Sequence, residues 1–224
     1  MDMKISGSGV ITAGEYEGIS VSGSAKFHGL VRCESLRVAG ALSGEMLECK
    51  RDLRISGQCK CSQSIKADEV RVAGALSCGS LKCGSLCIAG VTSVDGDIEA
   101  ETVKVDGILS CEGLLNAEEI SIKFEHNMTL GGIGGSKIII MKKHREKEKK
   151  RLPLFSSLVR SFGGVHVKNS VEGDDIALEG VTCARVSGKS IAIGDDCEIE
   201  LVQYSEKIEI SPNAKVGKTE KIGE

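Results

Sequence analysis

The chain has no tryptophan, and only 2 prolines, 2 tyrosines and 4 phenylalanines among its 224 residues. Small-molecule sites are usually lined by apolar and aromatic side chains, and this composition supplies few of the latter. Opposite charges nearly cancel, to −3 at neutral pH, so no global basic excess points to nucleic acid. No apolar run approaches the roughly 20 residues that a spanning helix requires. The opening MDMKISGSGVIT lacks the apolar stretch of a signal peptide, and the expectation is a cytoplasmic protein. Cysteine is plentiful, at 10 residues, but Cys59-x-Cys61 and the series Cys78, Cys83, Cys87 lack the paired C-x-x-C spacing of a zinc site. Without a secretory signal a disulfide framework is disfavoured. No metal or cofactor is expected.

What the sequence does contain is a repeat. Residues 36–52, LRVAGALSGEMLECKRD, are followed by LRISGQCKCSQSIKADE and VRVAGALSCGSLKCGS. The unit opens with aliphatic–x–aliphatic–x–Gly, and its first residue falls at 19, 36, 53, 70, 86, 103 and 120. Self-similarity at so short and regular a period is the mark of a solenoid. Within a unit, inward candidates come in alternating pairs, such as Leu53 and Ile55, Cys59 and Cys61, Ile65 and Ala67. Period-two alternation means strand, with alternate side chains on one face. Three such bursts of about five residues describe one triangular coil. The expected fold is all-β: a single-stranded parallel β-helix with about 17 residues per coil, right-handed by the general rule for parallel crossovers. The Gly at position 5 (Gly23, Gly40, Gly57, Gly74, Gly90, Gly107) sits at a corner, where positive φ or close packing favours a residue without Cβ.

The alternation places Cys33, Cys49 and Cys83 on one inward edge and Cys61, Cys78 and Cys111 on another. Buried thiols of this kind behave as small hydrophobes. Cys87, at an outward position, is the expected reactive thiol.

Composition divides the chain into coils over 1–140, an insertion over 141–164 and further coils over 165–224. Residues 1–18 read as a degenerate first coil, with Ile5, Val10 and Ile11 as its apolar part. The run LGGIGGS after Thr129 lacks the Lys-Ser/Thr ending of a nucleotide loop and reads as a tight corner. Residues 141–170 hold 9 Lys and Arg against 2 Asp and Glu, whereas 1–140 hold 14 against 18 and 171–224 hold 6 against 12. The basic residues Lys142, Lys143, Arg145, Lys149, Lys150 and Arg151 lead into Leu154, Phe155, Leu158, Val159 and Phe162. These five share one face of a short helix over 154–162. So short a helix needs a surface: the rod's own flank, a partner, or an anionic membrane. Nucleic acid is disfavoured, because the run carries no interleaved aromatics.

The stacked coils of 19–119, with GDDIALEG, VSGKSIAIGDDCEIELVQYS and ISPNAKVG beyond the insertion, resemble the bactofilins. Within that bacterial cytoskeletal family the chain is similar to a Firmicute-type branch. The resemblance implies a right-handed β-helix, nucleotide-independent filaments built end to end, and scaffolding at the inner membrane. The chain departs from the family in having no Pro-rich tails and in carrying the 141–164 insertion. A terminal coil lacks one neighbour, and a rod with two adhesive ends forms heterologous, propagating contacts. The expected polymer contacts are Ile5, Val10 and Ile11 at one end and Ile208, Ile210 and Val216 at the other. The partners are further copies of the chain, or a second related chain, and an anionic membrane surface reached through the insertion.

Two alternatives remain, a monomeric β-helical binding module and a left-handed β-helix acyltransferase. For the enzyme, Ile193–Ile199 reads like a hexapeptide unit. Against it, none of His28, His126, His144 and His166 lies beside an acidic orienter in a recognisable motif, and six-residue spacing is absent from 19–119. The expectation is a non-enzymatic scaffold.

Overall fold

The computed structural model describes residues 2–143 and 163–223. Among them every regular element is a β-strand, and all strand pairings are parallel within one continuous sheet. The chain winds through about 12 turns of a parallel β-solenoid. The repeat sets the register directly: Leu36, Leu53, Val70 and Leu86 are stacked partners, continued by Val103, Ile120, Ile138, Ile176, Ile191 and Ile208. Each coil sends three pairs of side chains inward, and their stacked columns form a single apolar core. In the coil opening at Leu53 these are Leu53 and Ile55, Cys59 and Cys61, Ile65 and Ala67, all buried. Units one residue shorter or shifted regain register because the slip is taken up by an irregularity within a strand, as between Cys61 and Ser64 of Gln58–Val72.

The corner glycines are there for close approach. None from Gly7 to Gly107 in this column has positive φ. A Cβ built on Gly40, Gly57 or Gly74 would lie 1.9–2.0 Å from the carbonyl oxygen of the column glycine one coil before. Adjacent coils therefore touch backbone to backbone at this corner. The LGGIGGS run is one unbroken strand, Met128–Lys142, that turns two such corners, at Gly131 and Gly135.

A second column, at the inward position before the coil closes, holds only small residues through the middle of the rod. It runs through Cys33, Cys49, Ala67 and Cys83, then Ala100 and Ala117, and on to Gly135, Gly173 and Gly188. At its two extremities stand Tyr16, stacked on Cys33, and Tyr204, stacked on Gly188. Bulk elsewhere is matched by glycine: the buried Phe27 ring lies over Gly44, and Phe124 over Gly180, which has φ 63°. Thr92 is the one buried polar residue among the described residues, and its hydroxyl has no hydrogen-bond partner.

The strand Met128–Lys142 ends at the corner between the first and second sides of a coil, and Val165–Leu178 resumes on the second side. The two strands pair in register, Met128 with Val165 and Ile140 with Leu178. Residues 144–162, with the helix expected over 154–162, lie outside the described residues.

Candidate functional site

The terminal coils differ from the expectation in detail. The first runs from Met3 to Tyr16, with Met3, Ile5, Ile11 and Tyr16 directed inward. Val10 does not join this column. It alternates with the buried Ile11 and is 69% exposed on the flank. Ile11 is only 1% exposed, stacked on Phe27. The Tyr16 hydroxyl donates to the Thr12 carbonyl at 2.9 Å, which holds the phenol across the corner beside it. The last described coil is more open. Ile208 and Val216 are half-buried, Ile210 is 41% exposed and Ile222 39%. Its strand Lys215–Lys221 pairs on one side only among the described residues, with Glu198–Ile210. Sequence reasoning missed Met3, Tyr16, Tyr204 and Ile222. Met3 and Tyr16 were findable, since each lies one period before an inward residue.

The structure ties the first two residues of the basic run to the rod. Lys142 Nζ lies 3.7 Å from Asp196, and its backbone N–H donates to Glu179 at 3.3 Å. Lys143 Nζ is 2.9 Å from Asp106 and 3.5 Å from Glu125, and the Asp106 carboxylate raises its pKa. Their charge is thus largely offset locally. Arg145, Lys149, Lys150, Arg151, Leu154, Phe155, Leu158, Val159 and Phe162 lie outside the described residues. No helix among the described residues is long and apolar enough to cross a membrane.

Stacking also creates a pair that linear reading overlooked. His28 Nδ1 lies 3.4 Å from Glu45 in the next coil, and Glu45 accepts from the Gly29 N–H at 3.1 Å. An acid does therefore stand beside a histidine. The His28 side chain is 83% exposed, however, so water surrounds the imidazole and no cleft encloses it. His126 and His166 are exposed, and His144 lies outside the described residues.

Nine of the ten cysteines are buried, and Cys87 is exposed. Burial pushes the thiols of Cys78, Cys83 and Cys183 up to about 12 and that of Cys111 to about 11. No group of three or more His, Cys, Asp or Glu among the described residues could hold a metal ion.

Residues 17–116 match the family model for Bactofilin, described as polymer-forming cytoskeletal. The uncharacterized protein YhbF of Bacillus subtilis (strain 168) is 32% identical over 111 residues, which are 49% of this chain and 42% of YhbF. The chain therefore spans less than half the length of the curated relative it matches. No solved structure matches. Residues 17–116, whose coils stack in register from Ile19 to Leu115, are thus similar over less than half of the chain to the bactofilin family of polymer-forming cytoskeletal proteins.

Proposed function

We propose that this protein is a non-enzymatic cytoskeletal scaffold whose rods join end to end into filaments without nucleotide, as homopolymers or together with a second related chain. The observation that carries the reading is the polymer-forming family match over a rod whose last described coil leaves Ile210 and Ile222 exposed. Docking another coil there satisfies a parallel ladder and covers those side chains. At ~25 cal/mol per Å², a few hundred Å² of apolar surface contributes several kcal/mol, comparable to the entropy of association. Assembly is therefore concentration-dependent.

Sedimentation and negative-stain microscopy test this. Wild type is expected to pellet as filaments, and Ile210→Lys, already partly in water, to stay folded while its pelleted fraction drops at least several-fold. Ile11→Lys is the poorer probe, because it buries a charge. A wild type that remains monomeric at high concentration leaves only a monomeric binding module.

The basic and apolar segment attaches the filament to an anionic membrane surface on the cytoplasmic side. Arg145, Lys149, Lys150 and Arg151 supply about 1 kcal/mol each near such a surface, and Leu154, Phe155, Leu158, Val159 and Phe162 supply apolar area. Phe155→Asp with Phe162→Asp is expected to reduce co-flotation with phosphatidylserine vesicles at least tenfold at unchanged circular dichroism. Equal flotation of both proteins removes the membrane attachment and leaves the polymer untouched.

A further inference from the structure

Cys33 and Cys49 occupy the same inward position in successive coils and are register partners. Their Sγ atoms are 3.2 Å apart. Parallel neighbours stand ~4.8 Å apart with both side chains on one face, and disulfides accept Cα separations of about 4.4–6.8 Å. A bond between these sulfurs thus needs little backbone movement. The pair also lies near water. Cys33 lines a surface groove with Glu15, Tyr16, Arg32 and Lys50, and Cys49 lines an adjoining one with Glu48 and Lys66. A water-sized oxidant can enter such grooves. Either sulfur can donate in this contact; with Cys49 donating, Cys33 is held below the ordinary thiol value, while the same contact and burial push Cys49 above it. The thiolate therefore forms on Cys33, with Cys49 as its proton-bearing neighbour.

We propose that Cys33 and Cys49 form a modification site, a reversible disulfide that clips two successive coils together on exposure to a peroxide. The Cys33 thiolate attacks one peroxide oxygen and the O–O bond breaks. Cys33 becomes a sulfenic acid, and the departing hydroxide takes up a proton to become water. The Cys49 sulfur then attacks the Cys33 sulfur, its S–H proton leaves, and the S–O bond breaks to release a second water. Two thiols and one hydrogen peroxide give one disulfide and two waters. A dithiol reductant reverses the change.

The test uses the full chain carrying Cys87→Ser, which removes the exposed thiol as a route to links between molecules. After hydrogen peroxide and denaturation, free thiols are expected to fall by two. A tryptic digest is expected to yield peptide 33–37 joined to peptide 38–50, and dithiothreitol to separate them. Cys33→Ala in the same background is expected to lose no pair of thiols at the same peroxide dose. The proposal is overturned if all thiols survive, if the lost thiols map to other cysteines, or if Cys33 is driven to a sulfinic acid while Cys49 stays free. The mapping on the Cys87→Ser protein alone decides the matter should the Cys33→Ala variant fail to fold.

Discussion

Gly74→Ala is expected to unfold the middle of the rod, whereas Gly7→Ala, in the same column, is expected to stabilise it slightly. A Cβ on Gly74 would lie 2.0 Å from the Gly57 oxygen, 2.5 Å from the Ser56 oxygen and 2.7 Å from the Ser56 carbonyl carbon. All three obstacles are backbone atoms, so no rotamer change relieves the clash. The coils must separate at the corner, against bonds from the Ala73 and Gly74 N–H groups to Ile55 and from Ala75 to Gly57, at 2.8, 3.0 and 2.8 Å. Each such bond contributes about 0.5–1.5 kcal/mol net, so losing three together with the coil-to-coil packing destabilises by several kcal/mol, at the upper end for a single substitution. In a solenoid each coil contacts only its neighbours, so the damage divides the rod at residue 74. At Gly7 a Cβ meets nothing within 4 Å. There the substitution only restricts the unfolded chain, worth about 0.4–1 kcal/mol in favour of the fold. Thermal melts followed by circular dichroism check both signs. A Gly74→Ala protein that melts with wild type would show that the corner relaxes freely.

Alkali is expected to dissolve the core at a pH that ordinary surface chemistry does not explain. The thiols of Cys78, Cys83 and Cys183 ionise near 12 in the fold and that of Cys111 near 11, against an ordinary 9.0, with burial as the largest cause. For an acid whose folded pKa is raised, the fold favours the neutral form. That preference is intact below pH 9 and is lost as pH climbs from 9 towards 11–12. A tenfold change in an ionisation constant corresponds to about 1.4 kcal/mol, so four thiols together remove roughly 5 kcal/mol per pH unit once the unfolded thiols ionise. Total domain stability is typically about 5–15 kcal/mol. Urea midpoints under reducing conditions should hold steady from pH 7 to 8.5 and collapse between pH 9.5 and 11. Thiolate absorbance is expected to rise in step with the loss of circular dichroism. Midpoints unchanged at pH 10.5 refute the claim.

The coil and its contents were legible in the sequence because one spacing determines both the face and the stacking partner of every residue. Given Leu47 and Leu86 as inward residues, the burial of Cys49 and the exposure of Cys87 follow from alternation. Val10 was misplaced because two adjacent aliphatics cannot both face inward, and Ile11 holds the inward position under Phe27. The His28–Glu45 pair was available by adding one period to 28, yet linear motifs do not look one coil ahead. Lys143 was grouped with the docking run because its partners in the rod, Asp106 and Glu125, are not its neighbours in sequence. The contact of Phe124 with Gly180 was not legible, since the insertion between them breaks the count that links partners elsewhere.

The two tyrosines at the extremities of the small-residue column have an optical consequence. With no tryptophan in the chain and 2 tyrosines, near-ultraviolet emission comes almost wholly from Tyr16 and Tyr204, one near each extremity of the described rod. Circular dichroism averages over every coil, while tyrosine fluorescence reports the outermost ones. A melt watched by both signals thus separates fraying from global collapse without an attached dye. The unlabelled molecule carries a lamp near each tip and none in its middle.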